Sequence, residues 1–319
     1  MKYDKYIVAF SGGKDSTACF LNLLDQGIDK SKIELWHNDI DGDSGHFFDW
    51  PITKDYCRAF AEAFGVKIYF SWKQGGFYRE LMRDNQRTAP MFTETPYGNI
   101  TSRGGTRGKL STRKKFPQVS SDLSVRWCSA YLKIDVCAAA IRMQKRFIGL
   151  KTCIISGERG EESAARAKYS MNEPDRSDNR GGDIVDRYVD RLRPLRDWTE
   201  ARIWEIIEKY KVRVHPCYYL RYSRCSCMHC IFGNKDQFAT SAYLDPCGIQ
   251  KIINIEKDSG LTIKRNKSVP ELIHSGIVYD GVDNKELSKL SMSEIYTDKI
   301  IIKKWELPSG AYGNSCGPS

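Results

Sequence analysis

Residues 6–17 read Tyr6-Ile7-Val8-Ala9-Phe10-Ser11-Gly12-Gly13-Lys14-Asp15-Ser16-Thr17, and their order decides the fold. The apolar run Tyr6 to Phe10 fits a buried strand, and Thr17 to Gln26 carries helical spacing. Strand, glycine turn and helix in that order make a phosphate grip. Gly12 and Gly13 let the backbone turn tightly and come close to an anion. The amides of Lys14, Asp15 and Ser16 then point from a helix N-terminus, where the macrodipole favours negative charge. Lys14 adds a positive charge, and Ser11 and Ser16 add hydroxyl donors. The spacing is not that of a Walker A loop, which needs four residues between its first glycine and Gly-Lys-Ser/Thr.

Outward from this turn the chain alternates strand and helix. Ile33–His37 and Val66–Phe70 read as strands, with a helix over Lys54–Phe64 closed by Gly65. Ala130–Phe147 reads as a helix and Lys151–Ser156 as a fourth strand. Asp197-Trp-Thr-Glu200 offers a capping box for a helix carrying Ile203, Trp204, Ile207 and Tyr210. The expected fold is α/β, a Rossmann-like parallel sheet with helices on both faces, plus a smaller cysteine-rich C-terminal subdomain. The boundary is expected near residue 210: a nucleotide-binding domain over 1–210 and a cysteine-rich region over 211–319. Ligands of such sheets sit beyond the carboxyl ends of the strands. The Ser-Gly-Gly turn, His37–Asp39, Ser71-Trp72 and Gly157–Arg159 all fall there. Stretches 84–125 and 172–182 are polar and read as long loops.

At 319 residues the chain can bury a sizeable core, and no run of eighteen apolar residues predicts a membrane span. The N-terminus has no signal-like apolar region, so a cytoplasmic protein without membrane partners is expected. Fifty basic residues against 40 acidic ones give a net charge of +10, a field that attracts anions and nucleic acid. Arg103, Arg107, Lys109, Arg113, Lys114 and Lys115 form a basic stretch, read either as a solvated loop or as a flap over a polyanion. Eleven cysteines in a cytoplasmic chain argue against structural disulfides. Cys19, Cys57, Cys137 and Cys153 fit core positions. Cys217, then Cys225, Cys227 and Cys230 within six positions, have the spacing of soft-metal ligands, for a [4Fe-4S] cluster or Zn²⁺, with His229 able to replace one thiolate.

The 11–16 turn resembles the pyrophosphate-loop (PP-loop) signature of the adenine nucleotide alpha-hydrolase superfamily. That superfamily includes N-type ATP pyrophosphatases, thiolation enzymes acting on tRNA or DNA, and phosphoadenosine phosphosulfate (PAPS) reductases. Gly157-Glu-Arg-Gly-Glu-Glu-Ser-Ala-Ala-Arg166 resembles the Gly-x-Arg-x-x-Glu-Ser-x-x-Arg element of PAPS reductases and DNA phosphorothioation enzymes. Arg126-Trp-Cys-Ser-Ala-Tyr-Leu-Lys133 resembles their Arg-x-Cys-x-x-x-x-Lys element, and Pro194-Leu-Arg-Asp-Trp198 their Pro-Leu-x-x-Trp stretch. In order, these resemblances span about residues 5 to 235.

The resemblance implies a nucleotide site formed by Ser11, Gly12, Gly13, Lys14, Asp15, Ser16, Asp39, Arg126, Lys133, Gly157, Glu158, Arg159 and Glu162. Lys14, Asp15, Arg159 and Arg166 carry the expected catalysis, since arginine forks suit phosphate or sulfate oxygens. It also implies a [4Fe-4S] cluster on four cysteines, with the residue matching Cys128 as a further candidate. The leading expectation is an ATP pyrophosphatase that uses Mg²⁺ with ATP to adenylate a substrate. That reading serves sulfur insertion into DNA or tRNA, with a cysteine desulfurase as partner. The alternatives are a PAPS or adenosine phosphosulfate reductase releasing sulfite, and a non-catalytic nucleotide or nucleic-acid binding module. In the reductase reading Cys316, in a degenerate C-terminal motif, is a candidate nucleophile.

Overall fold

The structure, a computed structural model, describes residues 3–313. Eight strands form one sheet: β1 (Lys5–Ala9), β2 (Ile33–Asp39), β3 (Lys67–Lys73), β4 (Met91–Glu94), β5 (Ile100–Arg103), β6 (Lys151–Ile155), β7 (Asn172–Pro174) and β8 (Tyr188–Leu192). Their order is β5-β4-β3-β2-β1-β6-β8-β7. The central pairs, from β3 through β2, β1 and β6 to β8, are parallel. The hairpin β4–β5 and the short β7 add antiparallel edges.

Neighbouring residues of the middle strands are buried on opposite faces, as a sheet covered on both sides requires. Val8 and Leu35 pack with Phe20, Phe60 and Trp204, from the helices Lys14–Asp25, Thr53–Phe64 and Glu200–Lys209. Ile7, Trp36 and Ile154 pack on the other face with Cys137, Ala140 and Ile141 of the helix Asp135–Met143. The expected α/β class and the first four parallel strands are therefore present. Gly65 takes the left-handed conformation that ends its helix, φ 67°. Cys19, Cys57, Cys137 and Cys153 are all buried.

Several local expectations change. The 84–125 stretch holds the β4–β5 hairpin, whose first strand gains pairing from β3. The polar loop near 172 supplies β7, and β8, which carries three charged or polar residues among five, escaped the periodicity. The helix after Ala130 opens with a π turn, Ala130–Ile134, and its regular part ends at Met143. Thr199, not Asp197, caps the helix at Glu200: its side chain accepts from the Arg202 amide, while Asp197 pairs with Arg196.

Beyond residue 210, Val212, Tyr218, Leu220 and Tyr222 join the core under the 14–25 helix. The helices Lys235–Leu244, Pro246–Ser259 and Val269–Ser275 form a second apolar cluster with Phe48, Phe77 and Trp127. Among the described residues no helix is long and apolar enough to cross a membrane.

Candidate active site

The glycine turn ends β1 and starts the 14–25 helix as the sequence indicates. Gly12 has φ +79°, and a Cβ there would stand 3.2 Å from Cys57 Sγ and 3.3 Å from the Tyr56 ring. Both its conformation and its surroundings demand glycine. The Ser16 hydroxyl donates to the Gly13 carbonyl at 2.9 Å and receives the Ser11 amide at 3.2 Å, which closes the turn on itself. Residues 200 positions away complete it. The Lys14 amide donates to the Tyr218 hydroxyl at 2.9 Å, and the Lys14 ammonium donates to the Ser223 carbonyl at 3.0 Å. That ammonium also lies 3.4 Å from Glu200 and over the Trp204 and Tyr218 rings. Lys14, expected to neutralise phosphate charge, is buried and engaged behind the turn.

Asp15 accepts from Arg159 Nε at 2.7 Å, and Gly157 packs so closely that a Cβ would meet the Asp15 backbone at 3.0 Å. Arg159 also pairs with Glu161, so its guanidinium braces the turn and its fork is filled by carboxylates. Glu162 accepts from Arg166 and, through its other oxygen, from Arg224 Nη2 at 3.1 Å. Asp39 accepts the Asp41 and Gly42 amides and pairs with Lys54 at 3.1 Å, which turns it into a neighbouring hollow beside Asp41 and His46.

Two adjoining cavities lie at the strand ends. The first is lined by Phe10, Ser11, Trp36, His37, Asn38, Ser156 and Glu158, from the ends of β1, β2 and β6. The β3 end contributes nothing to it, because the β4–β5 hairpin covers that strand and Trp72 stacks on Phe92. The second is lined by Arg126, Cys128, Arg166, Arg224, Cys230 and Phe232. Ser11, Ile40, Lys133, Cys225, Ser226 and Cys227 line both, so a ligand in the first reaches the thiols of the second. Arg126 Nε is buried with no hydrogen-bond partner among the described residues. An unanswered guanidinium N–H beside a cavity is a strong donor for an anion.

The thiols fall into two groups. Cys128, Cys225, Cys227 and Cys230 surround the second cavity, with Lys133 among them. The charge of Cys227, helped by Asp49, Cys128 and Cys230, holds the Lys133 ammonium above its usual range despite burial. Cys217 is instead sealed in the core with His215 and Cys225, three donor atoms within 4.8 Å of one another. Burial pushes the Cys217 thiol up, and its hydrogen bond to Cys225, with His215 and Lys133, holds Cys225 down as the ionised partner. An all-sulfur set around a cationic lysine fits a soft cationic centre such as an iron–sulfur cluster or zinc. Cys128, Cys225, Cys227 and Cys230 line one cavity, and Cys225 also lies with Cys217 and His215 within 4.8 Å, so Cys225 is shared by both groups of soft donors. Cys217 of the expected set stands behind them, and His229 joins His46 and Asp245. Cys316 lies outside the described residues.

Residues 106–232 match the phosphoadenosine phosphosulfate reductase domain family. The chain carries a domain of this reductase family. The match begins after the 11–16 turn, yet its residues Gly157, Arg159 and Cys225 touch that turn in space. A relative, adenosine 5'-phosphosulfate reductase from Burkholderia cepacia, is 30% identical over 76 residues, 24% of this chain and 27% of that protein. The chain thus matches about a quarter of that relative's length. Together these findings place a reductase-family domain within residues 106–232, against the nucleotide-type turn at 11–16.

Sequence reasoning missed Tyr218, Ser223 and Glu200, which hold Lys14, and Arg224, which reaches the thiol cavity. Only Arg224 left a local signal, an anion-binding side chain directly before Cys225. The others act through contacts over about 200 residues, which no local pattern carries.

Proposed function

We propose that this chain reduces a sulfonucleotide, adenosine phosphosulfate or its 3'-phosphorylated form, to sulfite. The observation that carries the reading is the shared wall of the two cavities, where Ser11 of the turn meets Cys225, Cys227 and Lys133. The adenosine would lie in the first cavity, between the ends of β1, β2 and β6. The sulfate would face the second, where Arg126, Lys133, Arg166 and Arg224 supply cationic donors. Glu162 orients two of these, Arg166 and Arg224. The likeness to the adenosine 5'-phosphosulfate reductase of Burkholderia cepacia supports the same chemistry.

In this reading a thiolate other than the four cavity cysteines, for which the sequence offers Cys316, attacks the sulfur and the sulfur–oxygen bond to phosphate breaks. The nucleotide leaves with the electron pair, and the sulfite group stays on the thiol. A second thiol attacks the sulfur of that thiol, releasing sulfite and leaving a disulfide, so two thiols supply the two electrons. The chain's arginines hold and neutralise the departing phosphate. A cluster held by Cys128, Cys225, Cys227 and Cys230 would supply a redox-active centre beside the sulfate, with its thiolate charge offset by Lys133. Residues 1–210 then serve as the nucleotide-binding part, which also brings Cys128, and 211–319 as the part that brings Cys225, Cys227 and Cys230.

A second reading is the ATP pyrophosphatase that adenylates nucleic acid with Mg²⁺. Exposed Arg103, Arg107, Lys109 and Lys115 favour it, as a surface for a polyanion. Arg113 belongs to the fold instead, paired with Glu80 at 2.8 Å and stacked over Trp127 and Tyr131. Engagement of the Lys14 ammonium by Ser223 and Glu200 favours the reductase. Thermal stabilisation by PAPS, adenosine phosphosulfate and Mg·ATP at matched concentrations separates the two, because the tighter native-state ligand raises Tm more. A larger shift with either sulfonucleotide supports the reductase reading; a larger shift with Mg·ATP overturns it.

A further inference from the structure

We propose that His46, His229 and Asp245 form a binding site for a zinc-class divalent cation, distinct from the thiols and independent of the sulfonucleotide reading. The two imidazoles converge on one oxygen: His46 Nε2 lies 3.0 Å and His229 Nε2 3.1 Å from Asp245 Oδ2. The three donor atoms all lie within 4.8 Å of one another. Ligands about 2.0–2.1 Å from a tetrahedral zinc stand about 3.3 Å apart, so each His–Asp separation needs only a few tenths of an ångström of opening, and the two imidazoles close on the ion from within 4.8 Å. Two imidazoles and one carboxylate are a borderline-soft set that leaves a fourth position for water.

The three ligands come from separate segments, and each is held in place before any ion arrives. Asp41 accepts the amides of Phe47, Phe48 and Asp49, which fixes the loop that carries His46. The His229 amide donates to the Phe48 carbonyl at 3.1 Å, which ties the cysteine segment to that loop. Asp245 Oδ1 receives the Gly248 amide at 2.9 Å, leaving Oδ2 for the histidines. A Cβ on Gly248 would collide with Asp245 Oδ2 and stand 3.0 Å from His229 Nε2, so the residue facing the three ligands has no side chain.

The rings have no other polar engagement. The Nδ1 atoms of both histidines are buried without a hydrogen-bond partner among the described residues. Both rings are thus committed to the one carboxylate oxygen. The His229 side chain is fully buried, whereas His46 and Asp245 keep 20% and 12% of theirs exposed, which gives an ion a route from solvent. A cation here would staple the loop after β2, the segment with Cys227 and Cys230, and the start of the 246–259 helix.

The test is Co²⁺ titration of the anaerobically prepared, chelator-stripped full chain, read by visible and X-ray absorption. The expected result is one equivalent of cobalt with imidazole and no sulfur in its first shell, over and above any cobalt that the cavity thiols take up. That equivalent should persist in Cys227→Ser and vanish in His46→Gln and Asp245→Asn. Asp245 also caps a helix, so His46→Gln, in a loop, is the primary variant, with its apo thermal unfolding compared to wild type. Should both variants unfold, the wild-type cobalt spectrum decides. Cobalt bound only through sulfur, or undiminished uptake by folded His46→Gln, overturns the proposal.

Discussion

A Cβ placed on Gly13 would stand 3.3 Å from the Cβ of Cys225 and 3.5 Å from its carbonyl oxygen. The phosphate-type turn and the thiol segment, 212 positions apart, therefore touch backbone to backbone. Gly13 has φ −83°, a conformation any residue adopts, so Gly13→Ala probes that contact alone. We expect the methyl group to push the Cys225 segment away, at about 1–3 kcal/mol of stability. Nucleotide affinity and metal retention should fall together. Chemical denaturation, nucleotide titration and metal analysis on the variant check this; a variant with all three unchanged would separate the turn from the thiols.

The grouping of the cysteines makes a second prediction. Cys128→Ser should lose the iron or zinc of anaerobically purified protein, because Cys128 lines the cavity with Cys225, Cys227 and Cys230. Cys217→Ser should keep most of it, because Cys217 sits in the core behind Cys225. Metal content of the two variants decides. The reverse outcome would restore the set read from spacing alone.

Acid should destabilise the protein through His37. This ring is buried, and burial pushes its pKa down to about 4, against the opposing pull of Asp39 and the Phe10 carbonyl. In the unfolded chain an ordinary histidine titrates near 6.5, so between those values the unfolded state binds more protons. Stability then rises with pH across this window and falls as pH drops from 6.5 towards 4. The loss reaches about 2 kcal/mol at pH 5. His37→Gln, compared with wild type by denaturation at pH 7, 6 and 5, should flatten the profile by that amount. Parallel profiles would contradict it.

Much of this was legible in the chain. The central parallel strands and the turn at 11–16 announce themselves by apolar runs and glycines, because both signals are local. The ordered elements at 126–133, 157–166 and 193–198 carried the family. The hairpin at 91–103 was not legible: β4 is stabilised by pairing with β3 and β5 by pairing with β4, not by their own pattern. The same holds within the site. That Lys14, Asp15 and Arg159 belong together could be read, but not that Tyr218, Ser223 and Glu200 turn the ammonium away from the turn. Cysteine spacing grouped Cys217 with Cys225, Cys227 and Cys230 but did not show that Cys217 is buried in the core while the other three line the cavity, since sequence distance is silent about which face of the core a thiol occupies.

The most direct test of the central claim is product analysis under anaerobic conditions with a dithiol reductant. The chain is supplied in parallel with adenosine phosphosulfate, PAPS and Mg·ATP. The account predicts sulfite and the matching nucleotide monophosphate or bisphosphate from a sulfonucleotide, with turnover cut at least tenfold in Arg126→Ala. Pyrophosphate and AMP from ATP, with no sulfite from either sulfonucleotide, would contradict it.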